Sequence, residues 1–417
     1  MKLFFDVRGL EWASFANHRR GAFWAILNML RCFSKRRDVE LEIIDSSNRN
    51  IYEIKLIMQE FGLAEYVHAY SKKEILLTYP RYKMKHSSKI VRIGWKILDL
   101  MQNAFYGSKI EFLGKNESGV YFTAGEFDRL PEDEKILRCA FVWDMIPYVV
   151  PELFGSKEHR FLKEIKENPG QFDFYFTDSL SAKEDLARVA GVEEGKISVA
   201  YLGASNQTQS EIPAEKISFV LDKYCLSKNK YVFTVSSYEK RKNFERMAQA
   251  FVDAVNLTKR SDLKFVIIGH RQDKLRKSLD EMISAGLISR QDVEKYVIML
   301  GYIPSEDISI LSENALFMAY VSLYEGFGLP VLDSMKMGIP VLTSNVSSLP
   351  EVAGDAAITV DPYSVEEISK AMISLMNDDS LRKNMVNKGK ERAKLFTWES
   401  CVNRMVEDFE CRLKEQK

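Results

Sequence analysis

Two carboxylates eight positions apart, Glu325 and Asp333, bracket a glycine-broken turn in the run SLYEGFGLPVLD (322–333). The apolar run before it, 315–321, has the length and composition of a buried strand. It empties into a loop where Gly326 and Gly328 leave the amides of Gly326, Phe327, Gly328 and Leu329 uncovered. Pro330 suits the first turn of a helix and Gly338 its stop. A strand, a glycine turn and a helix N-terminus aim free N–H groups and the positive end of the helix dipole at one spot, which makes an anion site suited to phosphate. Glu325 and Asp333 would flank a ligand lying across the helix start, and carboxylates accept hydrogen bonds from hydroxyls. A ligand with phosphate in the middle and hydroxyl-rich groups at both ends is a nucleotide sugar.

A second charged run, SSYEKRKN (236–243), follows a predicted strand at 231–235. Asn243 can cap the helix after it, which sets Arg241 and Lys242 at that helix's amino end, with Ser236 and Ser237 just before them. Two cations there oppose the helix dipole, and a bound diphosphate would remove the conflict. Asp144 stands at the carboxyl end of a predicted buried strand, 137–143, where open α/β sheets place their chemistry; a helix cap is its structural alternative. Gly21, with His18, Arg19 and Arg20 before it, opens a helical stretch and suits either a diphosphate or a plain turn. His270, after Gly269, and the turn 301–304 lie at strand ends that can touch a nucleotide base or simply form surface turns. Ser348 and Glu351 have capping-box spacing.

These runs resemble the retaining, two-domain glycosyltransferases of family 4. Residues 322–333 match the family's E-x7-E region, 236–243 its G-x-x-E-P-R-K-N loop, 345–356 its N-x-S-S-L-P-E-V-A-G-D-A segment, and 140–147 its strand-end HDLIP. The resemblance implies a GT-B fold, two Rossmann-like domains facing each other across a cleft, with the donor on the second and the acceptor on the first. Glu325 would hold the donor sugar, Asp333 the ribose, Lys242 and Arg241 the departing diphosphate, and Asp144 would face the acceptor. The chain departs from the pattern at Trp143 (usually His), Asp333 (usually Glu), Lys240 (usually Pro), Ser236 (usually Gly) and Phe23 (often Gly). The donor site would comprise Gly21, Ser236, Ser237, Arg241, His270, Gly326, Phe327, Gly328, Leu329 and Asp333, and the catalytic set Asp144, Lys242 and Glu325, with no metal or other cofactor. Members with this wording often use GDP-mannose or a deoxysugar donor and a glycan or lipid-linked acceptor in surface polysaccharide assembly. A nucleotide-sugar epimerase and a non-catalytic sugar-nucleotide binder are the alternatives.

The elements that must position these residues follow a βα rhythm. Apolar runs at 3–7, 41–44, 119–123, 137–143, 172–177 and 197–201, then 231–235, 265–269, 297–301, 315–321, 340–343 and 357–360, alternate with amphipathic stretches. The polar, breaker-rich run 205–218 reads as a linker between an acceptor domain (1–205) and a donor domain (219–397), with a last helix, 398–413, crossing back to the first. A chain of 417 residues suits two or three domains, and 46% apolar residues permit full cores. Fifty-nine basic residues balance 59 acidic ones, so no global field draws nucleic acid. Within 71–110, however, nine Lys or Arg face two acidic residues, and an amphipathic helix at 81–101 would suit an anionic membrane or a lipid-diphosphate acceptor. Five scattered cysteines suit reduced thiols, the five histidines lack metal-ligand spacing, and no apolar run approaches the roughly 20 residues that span a bilayer. The expected location is the cytoplasm, peripheral at the inner face of the membrane.

Overall fold

The computed structural model describes residues 1–8, 21–46, 51–67, 118–127, 130–154, 159–205 and 212–416. The amphipathic stretch 81–101 lies outside the described residues. Two six-stranded parallel sheets carry the chain. The first contains β1 (Lys2–Asp6), β2 (Glu40–Ile44), β3 (Gly119–Thr123), β4 (Ile136–Phe141), β5 (Phe174–Thr177) and β6 (Ile197–Val199), in the order β2-β1-β3-β4-β5-β6. The second contains β7 (Tyr231–Val235), β8 (Lys264–Ile268), β9 (Val297–Gly301), β10 (Phe317–Tyr320), β11 (Val341–Ser344) and β12 (Ile358–Val360), in the order β12-β11-β10-β7-β8-β9. Most of these strands are near-continuous apolar runs because helices cover both faces of a parallel sheet. β3 shows this plainly, since every residue of it is buried.

In each sheet the strand order reverses once, between β1 and β3 and between β7 and β10. Connections leaving the two strands at such a point run to opposite faces and open a crevice at the carboxyl ends. Helices α1 (Gly21–Ser34), α2 (Leu180–Ala190), α3 (Phe244–Thr258), α4 (Leu329–Met337), α5 (Leu349–Ala353) and α6 (Trp398–Glu415) border these crevices or brace them. In α3, Phe244, Met247, Ala248, Phe251 and Val255 recur at helical spacing and are all buried, so the helix is anchored along its length. Phe409 of α6 meets Phe122 of β3 and Phe176 of β5 edge-on at 5.9 and 5.3 Å, which places the end of the chain on the first sheet.

The predicted strands form, most with ends moved by one or two residues. One local reading is corrected: the run taken as linker to residue 218 is helical from Ala214 to Lys223. Pro213 precedes the first turn, where a missing N–H costs nothing, and Val220 and Leu221 are buried against the core, so packing claims the second half of the run. The two chain crossings between the sheets touch each other. Ala204 N–H donates to the Phe396 carbonyl at 3.3 Å, and Trp398 Nε1 donates to the Ala204 carbonyl at 3.1 Å. At Gly203 a Cβ would lie 2.4 Å from the Trp398 nitrogen, so only glycine allows the crossings to approach so closely.

Candidate active site

The reversal between β7 and β10 gathers the charged cluster. After β7, Lys240–Lys242 form one tight turn, and Asn243 follows in the left-handed region at φ 58°. Asn243 does not cap α3 with its side chain as the sequence suggests. Its Nδ2 donates instead to the buried carbonyls of Val321 (3.0 Å) and Pro362 (2.8 Å), and the turn is thereby pinned to the end of β10. Leu323 N–H donates to the Arg241 carbonyl at 2.7 Å and completes the tie. Glu325 then meets both cations. Its Oε1 accepts from Lys242 Nζ at 2.6 Å and from the Tyr320 hydroxyl at 2.9 Å, and its Oε2 accepts from Arg241 Nη1 at 2.6 Å. Lys242 Nζ also donates to the Tyr320 oxygen at 2.6 Å, and Arg241 Nε donates to Glu239 at 2.9 Å. Burial alone would raise the Glu325 carboxyl, but the charges of Arg241 and Lys242 outweigh it and hold the group at about 2. Burial pushes the Lys242 ammonium below its usual range despite Glu325, with Arg241 adding to the push.

The glycine loop runs from this cluster to the opposite sheet. Glu325 N–H donates to the Ser347 hydroxyl at 3.0 Å, and the Ser348 hydroxyl lies 3.0 Å from the Glu325 carbonyl and 2.8 Å from the Phe327 carbonyl. Gly326 packs on the end of β4: a Cβ there would lie 2.8 Å from the Trp143 carbonyl oxygen, 3.0 Å from Asp144 Cβ and 3.4 Å from Asp144 Oδ2. The Ser179 hydroxyl, which also accepts from Ala182 N–H as the cap of α2, donates to the Gly326 carbonyl at 2.6 Å. Across the gap, a Cβ on Gly21 would touch Leu329 at 3.7 Å, so the start of α1 faces the start of α4. Phe327 contributes backbone only, since its buried ring packs edge-on to Phe396 at 6.0 Å. Gly328, in the left-handed region, precedes the first residue of α4.

Asp144 uses one oxygen locally, Oδ1 accepting from Ile146 N–H at 3.0 Å where a short helix starts. Its Oδ2 edge faces the glycine loop, so the capping contact and a position in the gap coexist. Burial raises its carboxyl; the Ile146 amide and Arg241 oppose the rise and Glu325 adds to it. Trp143 donates from Nε1 to the Ala124 carbonyl at 2.8 Å and leans on Phe141, which fixes the indole in place. Asp333 accepts from Ser205 N–H at 2.7 Å while burial raises its carboxyl, so it is engaged where the first crossing begins. Ser236 and Ser237 lie half-buried after β7, where Ser236 N–H donates to the Ile268 carbonyl at 2.9 Å and Gly269 packs on their backbone. The His270 ring stacks on Tyr302 at 5.1 Å and 20°, making a flat aromatic surface at the ends of β8 and β9 with Tyr302 66% exposed.

The capping box at Ser348–Glu351 is not formed. Ser348 turns to the glycine loop, and Glu351 crosses to the other half of the molecule. Its oxygens accept from Leu180 N–H (2.9 Å), Ser181 N–H (3.1 Å) and the Tyr201 hydroxyl (3.1 Å). A helix N-terminus offers free N–H groups and positive potential, and here a carboxylate from the opposite domain satisfies them. Tyr324 makes a parallel crossing, its hydroxyl donating to Asp185 at 2.6 Å. Tyr320 and Ser179 are site residues that sequence reasoning missed, and Glu351, by its spacing a helix cap, is a cross-domain contact instead. Tyr320 carried a signal, as a polar-tipped aromatic in an apolar run five residues before Glu325.

Arginine, lysine and loop amides clustered at one strand-order reversal can neutralise a diphosphate, while carboxylates on both walls can hold hydroxyls. Among the described residues no group of His, Cys, Asp and Glu is arranged to hold a metal ion. Comparison with known proteins places the chain in a family. Residues 222–392 match the model of the family described as glycosyl transferases group 1. The chain is 31% identical over 267 residues, 64% of its length and 68% of the relative's, to O-antigen chain mannosyltransferase B of Escherichia coli. Its fold is similar to that of a glycosyltransferase from Rickettsia africae (TM-score 0.65, 15% identity, covering 99% of this chain and 98% of the other). It is also similar to Anabaena HepE, solved in complex with UDP and glucose (TM-score 0.63, 13% identity, covering 99% and 100%). The chain belongs to the group 1 glycosyltransferases of GT-B fold, enzymes of hexosyl transfer.

Proposed function

We propose that this enzyme moves a hexose, with mannose from GDP-mannose the first to test and a deoxysugar the second, onto a glycan or lipid-linked glycan during surface polysaccharide assembly, with retention at the anomeric carbon. One observation carries the reading: Glu325 is held by Arg241 and Lys242 directly across the gap from Asp144. The relationship to the E. coli mannosyltransferase supports the choice of sugar. Donor diphosphate would lie against Arg241, Lys242, Ser237 and the amides of 327–329, its base near His270 and its sugar at Glu325. The acceptor hydroxyl, hydrogen-bonded to Asp144, attacks the anomeric carbon on the face the diphosphate leaves. The new C–O bond forms as the old one breaks, and the hydroxyl proton leaves its hydrogen bond to Asp144 and passes to the departing diphosphate oxygen. Two fixed cations stabilise the charge growing on that oxygen, the part a divalent ion plays elsewhere.

Among the described residues no helix is long and apolar enough to cross a membrane. Work at the cytoplasmic face, where lipid-linked acceptors present their glycans, fits the reading. The decisive experiment incubates the protein with a panel of nucleotide sugars and lipid-linked acceptors, with and without EDTA, and identifies products by mass spectrometry and NMR. We expect transfer that survives EDTA and an axial or equatorial linkage matching that of the donor. Lys242→Ala or Glu325→Ala should lower turnover about 100-fold or more while the fold survives. Isomerised donor without transfer would make the protein an epimerase, and binding without turnover would make it a sugar-nucleotide binder.

A further inference from the structure

Tyr320 is 3% exposed and lies inside the charged cluster, yet the chemistry above does not use it. Its hydroxyl sits between two members of that cluster, donating to Glu325 Oε1 at 2.9 Å and accepting from Lys242 Nζ at 2.6 Å. The same lysine nitrogen lies 5.0 Å from the centre of the phenol ring, so ring and hydroxyl both face the ammonium. As the structure stands, Glu325 neutralises the two cations that a diphosphate needs. A donor entering the cluster must therefore take Arg241 and Lys242 partly away from Glu325, and a buried carboxylate that loses charged donors needs others. The phenol hydroxyl is the donor a diphosphate cannot recruit without abandoning Glu325, because it comes from the strand rather than from the cationic turn.

Resting on the transfer reading above, we infer that Tyr320 is a positioning residue: in the donor-loaded enzyme its hydroxyl keeps Glu325 Oε1 in place, leaving Oε2 to receive the sugar's hydroxyls. The groups facing that carboxylate are Arg241 and Lys242 from the turn, with Glu239 behind Arg241, Tyr320 from β10, the buried Ser322 hydroxyl just past it, and Asp144 from the opposite domain. Removing the phenol oxygen lets the carboxylate rotate, while the acceptor it takes from Lys242 is replaced by the oxygens of the bound diphosphate. The effect should therefore fall on kcat and spare the donor KM.

The test is a cycle of wild type, Tyr320→Phe, Glu325→Gln and the double variant, each assayed for transfer across pH 4–9. Tyr320→Phe should lower kcat ~10- to 100-fold, the size of one hydrogen bond to a charged group, with donor KM changed less than about threefold. The acid limb of kcat reports the donor-loaded enzyme, in which the cations are partly drawn off Glu325, and it should move to higher pH because the charged carboxylate loses a further donor. In the Glu325→Gln background the same substitution should cost little, since the two residues act as one unit. Incorporation of 3-fluorotyrosine at position 320 keeps the hydroxyl and makes it a stronger donor, so the acid limb should move the opposite way. Additive losses in the cycle, or an acid limb unmoved in both the phenylalanine and fluorotyrosine proteins, would overturn the inference. Wild type without transfer on the full panel would instead sink the transfer reading beneath it.

Discussion

Asp144 and Glu325 face one gap with opposite electrostatic histories. Glu325 is kept ionised by two cations, whereas burial holds the Asp144 carboxyl above its ordinary 3.8 and so favours its neutral form. If acceptor binding needs the Asp144 carboxylate, kcat/KM should rise with pH along a limb lying above 3.8, set by Asp144 losing its proton. Asp144→Asn should remove that limb and lower the rate by about 10²- to 10⁴-fold; a limb unchanged in the asparagine protein would assign it elsewhere. Glu325, Arg241 and Lys242 were legible in the sequence because each lies in a short run with distinctive spacing, and the structure brings them within hydrogen-bond distance. Glu351 and Ser179 were not legible, because their partners stand in the opposite half of the chain. Asn243 and the Ser348–Glu351 pair show local capping rules giving way to tertiary partners, which offer buried amides and carbonyls a stronger claim.

Elements were easier to read than the contacts between them. Continuous apolar runs reveal buried parallel strands, and the strand-order reversal between β7 and β10 explains why the motifs after them converge. What no run of residues reveals is that the glycine loop and the amino end of α2 meet. At Gly326 a methyl group would press on the Trp143 carbonyl. Gly326→Ala should therefore hold the two halves apart, lowering transfer more than tenfold with little loss of thermal stability, as measured by turnover beside a melting curve. Glu351→Gln keeps the shape but loses the charge at the start of α2. Closure should weaken by about 1–2 kcal/mol, visible as a larger radius of gyration in solution scattering and a raised KM for the acceptor. An unchanged scattering profile would show that the contact does not govern closure.

Across the molecule, buried acids set the response to pH. Asp6, at the carboxyl end of β1, accepts from the Tyr121 hydroxyl (2.6 Å), Arg8 N–H (3.0 Å) and Ser46 N–H (3.2 Å). Burial, with Asp45 beside it, nevertheless raises its carboxyl from 3.8 to about 7. A folded value above the unfolded one gives stability that is full below pH 3.8 and is lost as pH rises to about 7. The loss is on the order of 1.4 kcal/mol per pH unit across that window. Asp6→Asn should flatten urea midpoints measured between pH 4 and 7; an equally steep fall in the variant would move the cause to another group. Glu325 acts in the opposite sense but below that window, since its folded value of about 2 adds stability as pH climbs from 2 towards the ordinary glutamate value.

The paired crossings at Gly203–Ala204 and Phe396–Trp398 carry a mechanical consequence. Two backbones riveted side by side permit swing about the line joining them and resist sliding or torsion across it. Opening for substrate entry thus reduces to a single angular coordinate. Each swing back would return Ser179, Glu351 and Tyr324 to the same registry across the gap.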